Sequence, residues 1–397
     1  MSADFRDIAA SGFLPGNRLQ LLASGGEYFP ALIAAIDAAV CEVHLETYIF
    51  ADDAIGRRVA ATLASAAQRG VAVRVLVDGF GAREFASGLG AKLGAEGVEV
   101  MTYRPEVGQT RFRRHRLRRL HRKLAVVDGG VAFAGGINVI DDFDGGKESA
   151  ARFDYAVRIE GPLVASIHAA MRHVWRLVRW AHLGRRPPAP AALPPAAVAD
   201  GTTKAALLIR DNLRHRRDIE NAYLEAIQSA RREILISNAY FLPGRRFRKA
   251  LLEAARRGVV VRLLLQGRSD HLLLHYATLS LYDRMLSAGV RIFEYVPAEL
   301  HAKVAVIDGD WATVGSSNID PFSLLLSREA NIVVRDAAFA GELQASLQAA
   351  LDSAAREIRV EDQRRRSWPA RLAIAAAYSL VRFLLGVTRY GGKQYTG

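Results

Sequence analysis

The chain has 397 residues, 50% apolar and 24% charged, with 54 lysines and arginines against 41 acids and a net charge of +13. That balance excludes a wholly disordered chain, a collagen and a disulfide-dense miniprotein, and the length suits two domains or one large one. The single cysteine, Cys41, excludes an intrachain disulfide and every cysteine-based zinc site. The cationic surplus calls for an anionic partner: phosphate, nucleic acid or an acidic membrane face.

Residues 1–10 carry Asp4 and Asp7 and lead into no apolar run, so no secretory signal is expected. An apolar strand ends at Tyr48-Ile49-Phe50. A helix closes at Ala66-Ala67-Gln68-Arg69, stops at Gly70, and a buried strand follows over Val73–Val77. Gly97-Val98 then leads into Tyr103-Arg104-Pro105. From Arg111 to Lys123, eight of thirteen residues are basic and none is acidic. Such a run suits anionic headgroups or a nucleic-acid backbone, and its place beside His121 favours that over a merely solvated loop. Its last residues open the segment His121-Arg122-Lys123-Leu124-Ala125-Val126-Val127-Asp128, followed by Gly135-Gly136-Ile137-Asn138. Between Gly184 and Lys204 lie five prolines (Pro187, Pro188, Pro190, Pro194 and Pro195) among alanines, with no helical or strand period. This is the composition of a semi-rigid linker.

Beyond the linker the chain repeats itself. Tyr240-Phe241-Leu242 follows an apolar strand as Tyr48-Ile49-Phe50 does. Ala254-Ala255-Arg256-Arg257-Gly258 precedes Val261–Leu265, and Gly289-Val290 leads to Tyr295-Val296-Pro297. Several helix–strand units in one order make a duplicated α/β domain. The best-matched unit is His301-Ala302-Lys303-Val304-Ala305-Val306-Ile307-Asp308, then Gly315-Ser316-Ser317-Asn318, each residue 180 positions after its counterpart. Arginine outnumbers lysine 47 to 7, yet two of the seven lysines occupy this one slot, so a compact ammonium is wanted there. On a strand, residues two apart share a face, which aligns His121 with Lys123 and His301 with Lys303. Gly136 and Ser316 let backbone approach an anion, and Asn138 and Asn318 add amide donors. Facing halves would surround a phosphate with two imidazoles, two ammoniums and two amides.

The paired His-x-Lys-x4-Asp segments resemble the HKD motifs of the phospholipase D superfamily. The resemblance runs from about Gly16 to Ile358. Glu46-Thr47-Tyr48-Ile49-Phe50, Phe153–Pro162, Asn238–Pro243 and Gly315–Asp320 place it nearest the bacterial cardiolipin synthase-like branch. It implies two tandem α/β/α sandwich domains related by a pseudo-two-fold axis, with one active site at their interface. It also implies metal-free, cofactor-free phosphoryl transfer through a phosphohistidine. His121, Lys123 and Asp128 with His301, Lys303 and Asp308 form the catalytic set. His121 is assigned as nucleophile and His301 as acid and base, while Asp128 and Asp308 suit buttressing better than substrate contact. The family uses acids to hold its histidines. Glu329, eleven residues past Asn318, and Asp154, sixteen past Asn138, fill that place.

The expected division is 1–183, a first phospholipase D-like domain; 184–203, linker; 204–360, a second such domain; and 361–397, a basic amphipathic membrane-association helix. In the last, Arg371, Tyr378, Arg382 and Arg389 fall on one stripe of an otherwise apolar helix. Trp175 and Trp180, among arginines, are candidates for the same surface or, equally, for helix packing. The reading is a phosphatidyltransferase making cardiolipin, peripheral on the cytoplasmic side of a bacterial inner membrane. Anionic phospholipids are its partners, with no nucleic acid and no metal. Hydrolytic phospholipase D and phosphodiester nuclease are the alternatives, and a non-catalytic scaffold is disfavoured by two intact motifs.

Overall fold

The computed structural model describes residues 12–105, 118–143, 150–183, 200–211, 215–267, 272–320 and 327–387. Most of the linker, most of the basic run before His121 and Arg389 lie outside the described residues.

The first half contains β1 (Leu14–Ala23), α1 (Ser24–Asp37), β2 (Glu42–Thr47), α2 (Ala54–Gln68), β3 (Ala72–Asp78), α3 (Leu89–Ala95) and β4 (Glu99–Tyr103). It continues through β5 (Arg119–Leu120), β6 (Lys123–Val127), β7 (Val131–Gly135), β8 (Tyr155–Glu160), α4 (Leu163–Leu183) and β9 (Thr203–Arg210). The second half contains α5 (Asp218–Ser229), β10 (Glu233–Asn238), α6 (Arg245–Arg256), β11 (Val260–Gln266), α7 (Leu272–Leu286), β12 (Arg291–Tyr295), β13 (Lys303–Ile307) and β14 (Trp311–Gly315). It closes with β15 (Ser327–Arg335), α8 (Ala337–Ala354), β16 (Ala355–Ile358), α9 (Val360–Arg364) and α10 (Trp368–Val387).

The helix stops fall where the glycines place them. Gly70 and Gly258 each take φ of +89° just past α2 and α6, a conformation that a β-carbon disfavours. Asp53 caps α2 by accepting from Gly56 N–H at 2.7 Å, and Asp336 caps α8 through Phe339 N–H at 2.9 Å.

Two compact units result. The first runs to Ile209 and also takes Val314–Ser316 and Arg328–Arg335; the second holds Arg210–Thr313, Ser317–Ser327 and the chain from Asp336 onward. The boundary expected at residue 204 therefore moves. β9 pairs antiparallel with β1, matching Leu14 with Ala205, and β15 lies beside β9. Backbone hydrogen bonding thus assigns both strands to the first unit.

In the first unit the strand order is β15-β9-β1-β8-β7-β6-β2-β3-β4, with β2, β3 and β4 mutually parallel and β6 antiparallel to β2. Side chains of β3 alternate between two layers, as strand periodicity requires. Val75 and Val77 join Leu32, Leu63 and Phe133 under α1 and α2, while Leu76 joins Leu120, Val174, Trp175 and Val178 under α4. Trp175 is therefore a core residue, the packing alternative of the two, while Trp180 is exposed. In the second unit the order is β16-β12-β11-β10-β13-β14. There α5 packs with α6, and α8 covers β12, β13 and β16. Each unit is an α/β/α sandwich.

Candidate active site

The first motif straddles the entry to β6. Lys123 Nζ donates to the His121 backbone carbonyl at 2.6 Å. Arg122 between them turns to the other face, as period two demands. His121 Nδ1 donates to Glu329 Oε2 at 3.1 Å and to the Ser316 carbonyl at 3.2 Å. The Tyr48 ring lies 4.9 Å from the imidazole and under the Lys123 ammonium. Burial, helped by Asp78, pushes the Tyr48 phenol up to about 12, so it stays neutral at pH 7.

Glu329 is fully buried and is fixed in turn. Ser316 Oγ donates to Glu329 Oε2 at 2.6 Å and accepts from Ala330 N–H at 3.0 Å. The route to His121 is a strand pairing. β5 pairs with β15, and His121 N–H donates to the Arg328 carbonyl at 3.0 Å. Glu329, encoded beside the second motif, therefore serves the histidine of the first.

The second motif repeats the local geometry. Lys303 is fully buried, pairs across the β10–β13 ladder with Asn238, and donates to the His301 carbonyl. Asn138 and Asn318 are both buried at the ends of the loops after β7 and β14. Asn138 Oδ1 accepts from Ile49 N–H at 3.2 Å, which leaves its amide group as the part suited to a ligand.

Four of the expected site positions make structural contacts. Asp128 and Asp308 stand at the far ends of their strands. Each ends its strand in the left-handed region, φ +50° and +53°, a strand's length from the histidine. Asp128 accepts from the N–H groups of Val40, Cys41 and Glu42 at 2.8–2.9 Å, and Asp308 from those of Arg231, Arg232 and Glu233 at 2.8–3.0 Å. These carboxylates tie β6 to the start of β2 and β13 to the start of β10. Gly136 does not offer its backbone to an anion: its N–H donates to the Tyr155 carbonyl at 2.9 Å. A β-carbon there would sit 2.2 Å from Asp154 Oδ1, so the glycine makes room for that buried acid. Ser316, the counterpart of Gly136, spends its hydroxyl, N–H and carbonyl on Glu329, Ala330 and His121. Both positions lie against a buried acid. Asp154 and Glu329 are counterparts, since each precedes the residue whose carbonyl receives that N–H.

The family described as cardiolipin synthase, PLD-like domain, matches residues 32–175 and 223–351. Cardiolipin synthase B of Escherichia coli K12 is 39% identical over 363 residues, covering 89% of this chain and 85% of the relative. Cardiolipin synthase A of Pseudomonas entomophila is 33% identical over 357 residues, covering 88% and 72%. The chain belongs to the cardiolipin synthase branch of the phospholipase D superfamily. The crystal structure of a phosphatidylserine synthase from Haemophilus influenzae shares the fold, with TM-score 0.65, 13% identity and coverage of 99% and 98%.

The support around the motifs was assigned no role from the sequence. Arg122 and Glu46 form a buried bidentate pair, Nε–Oε2 2.5 Å and Nη2–Oε1 2.8 Å, and Nη2 also donates to the Ala170 carbonyl at 3.1 Å. Asp78 Oδ2 accepts from Leu120 N–H at 2.7 Å while Oδ1 takes Phe80 and Gly81 N–H, which pins the residue before His121. An acid at the close of a strand before Gly79 was the available signal for Asp78. The strand match also shifts by one. Glu42 corresponds to Glu233 and Phe50 to Phe241, through the Asp128/Asp308 contacts and the Phe50–Val139 and Phe241–Ile319 bridges. Tyr48 is therefore the counterpart of Ala239 and not of Tyr240. Among the described residues no group of three or more His, Cys, Asp or Glu is placed to hold a metal ion.

Proposed function

We propose that this chain makes cardiolipin, moving a phosphatidyl group from a donor phospholipid to the glycerol headgroup of phosphatidylglycerol. The observation that carries the chemistry is the pair of acceptors on His121 Nδ1. A carboxylate and a carbonyl both accept there, so Nδ1 bears a proton, and in the neutral imidazole Nε2 then carries the lone pair. A neutral imidazole of fixed tautomer is the form that attacks phosphorus. In the first step Nε2 bonds phosphorus, the bond to the leaving alcohol breaks, and His301 passes its proton to that alkoxide. In the second, His301 takes the proton of the acceptor hydroxyl, the oxygen bonds phosphorus, and the phosphorus–nitrogen bond breaks. Both steps balance with these groups alone. Lys123 and Lys303 with the Asn138 and Asn318 amides offset the charge of the phosphorane, and Asp154 and Glu329 orient the imidazoles.

Water at ~55 M competes for the phosphohistidine, so a synthase wins by positioning, where effective molarities of ~10⁵ M are available. An acceptor that is itself a lipid arrives already concentrated at the interface. The protein is assigned to the cytoplasmic face of a bacterial inner membrane, attached by α10. Among the described residues no helix is long and apolar enough to cross a membrane. Purified protein given phosphatidylglycerol vesicles should yield cardiolipin and glycerol with little phosphatidic acid. Phosphatidic acid as the main product at every surface density moves the assignment to a hydrolase, and comparable cleavage of single-stranded DNA moves it to a nuclease.

A further inference from the structure

Within the second unit, α6, α7 and α10 enclose a cleft of about 610 Å³. Its walls carry Arg245, Arg248, Lys249 and Arg256 of α6, Arg284 of α7 and Arg382 of α10, against one acid, Glu253. That acid is already matched, 3.5 Å from Lys249 one turn away. Arg248, Arg256 and Arg284 pair with no carboxylate among the described residues. Arg248, Arg256 and Arg284 held together with no paired carboxylate repel one another, and a bound anion would offset that repulsion. Tyr378 lines the cleft as well: its hydroxyl accepts from Arg248 Nη1 at 3.2 Å, and the Arg382 guanidinium lies over its ring.

The same helix supplies a second, independent observation. Ile374, Ala377 and Val381 are buried, and α10 packs along α7. Trp368, Leu372, Leu380, Phe383 and Leu384 are left exposed, Trp368 by 77% and Phe383 by 65%. On a helical wheel at ~100° per residue these five span the sector next to the Tyr378–Arg382 stripe. An apolar face flanking a cationic cleft is the arrangement of a helix lying in a bilayer interface, greasy side in the acyl boundary and cations at phosphate level.

We propose that the α6–α7–α10 cleft is a headgroup site for an anionic phospholipid of the membrane surface, separate from the two HKD motifs, and that it orients the protein on the bilayer. The proposal rests on the membrane attachment assigned to α10, and its readout is vesicle binding, so it fails or stands independently of which lipid product is made. The occupant is a phosphodiester anchored in a bilayer, because a soluble phosphate would leave the neighbouring apolar face in water.

The test is co-sedimentation of the full chain with vesicles of phosphatidylcholine alone or with 30% phosphatidylglycerol, a probe composition of roughly the surface charge that basic clusters recognise. The pairs Arg256→Glu/Arg284→Glu and Arg256→Gln/Arg284→Gln, both at exposed positions, should keep the wild-type unfolding midpoint. The charge reversal should weaken binding to the anionic vesicles at least about tenfold and the neutral pair by less, with weak binding to phosphatidylcholine unchanged. Leu372→Asp/Phe383→Asp should weaken binding to both vesicle types. Wild-type affinity in the charge-reversed protein overturns the proposal. So does full displacement from vesicles by millimolar glycerol 3-phosphate with a calorimetric signal for that anion alone, which would identify a soluble phosphate site.

Discussion

The two motif copies share a backbone frame but are braced by different chemistry. In both, the lysine donates to its histidine's carbonyl and the aspartate collects three backbone N–H groups at the far end of the strand. Behind the first motif, however, Arg122 and Glu46 make a buried ion pair. Behind the second, their counterparts are Ala302 and Ser237, both buried, with the Ser237 hydroxyl unpartnered among the described residues. The loop bridges differ too. Asn138 reaches from the β7 loop to Ile49, whereas Asn238 at the end of β10 reaches to Ile319 at 3.1 Å. One frame thus tolerates opposite solutions behind the strand, while the face carrying His and Lys is held constant. The two copies keep the same residues on the His–Lys face and differ in both polarity and packing behind it.

The largest effect should come from the shared face. His121→Ala and His301→Ala should each lower turnover by about 10⁴-fold or more, as loss of a nucleophile or acid does in other covalent mechanisms. Near-normal product formation by either, measured by lipid chromatography, would show the copies unequal in the chemistry itself. Glu329→Gln comes next. Replacing the carboxylate on Nδ1 weakens the hold on the tautomer, and a loss of about 10²–10⁴-fold in kcat is expected with KM little changed. A KM effect alone would make Glu329 a substrate ligand.

The buried pair allows a sharper comparison. Burial raises the Glu46 carboxyl while Arg122 opposes that rise, so the pair is ionised only as a pair. Glu46→Gln should cost about 3–5 kcal/mol by stranding a buried guanidinium. Glu46→Ser/Arg122→Ala, which installs the second copy's residues, should restore a large part of that. If the double variant is no more stable than the single in denaturant titrations, the first frame depends on its ion pair in a way the second does not.

The smallest effect sits at the far end of the strand. Burial raises the Asp308 carboxyl, but the N–H groups of Arg231, Glu233 and Arg232 together hold it below the usual carboxylate value. A depressed folded value means stabilisation that is full above the unfolded pKa and lost as pH falls through the folded one. Asp308→Asn should therefore lower the unfolding midpoint at pH 7 by a few degrees, lessen its fall below about pH 4, and leave kcat near wild type. A kcat loss comparable to that of His301→Ala would return Asp308 to the catalytic set.

Removing α10 is a poor probe of membrane attachment. Val381 is 1% exposed against the second unit, so deletion uncovers apolar surface of α7 as well as removing the lipid-facing side chains. The expected amphipathic helix is present from Trp368, but it has two apolar faces, one docked and one exposed. A helical wheel cannot tell these apart, because sequence periodicity reports which residues are apolar and not what covers them.

Local rules made much of this protein readable from its residues. Glycine stops, the period-two face of His121 and Lys123, the duplicated α/β order and the family all follow from short-range patterns that recur in both halves. What the tertiary structure alone decided involves partners distant in sequence. Glu329 meets His121 because β5 pairs with β15, and β9 joins the first unit because it pairs with β1. The strand match moved by one residue because register is fixed by hydrogen-bond ladders, and one step of register turns every side chain to the other face. Asp128 and Asp308 sit in the motif by sequence but lie seven residues past their histidines, beyond a five-residue strand that spans roughly 16 Å at ~3.3 Å per residue. Proximity in sequence gave the motif its membership, and proximity in space, which only the paired strands establish, distributed its roles.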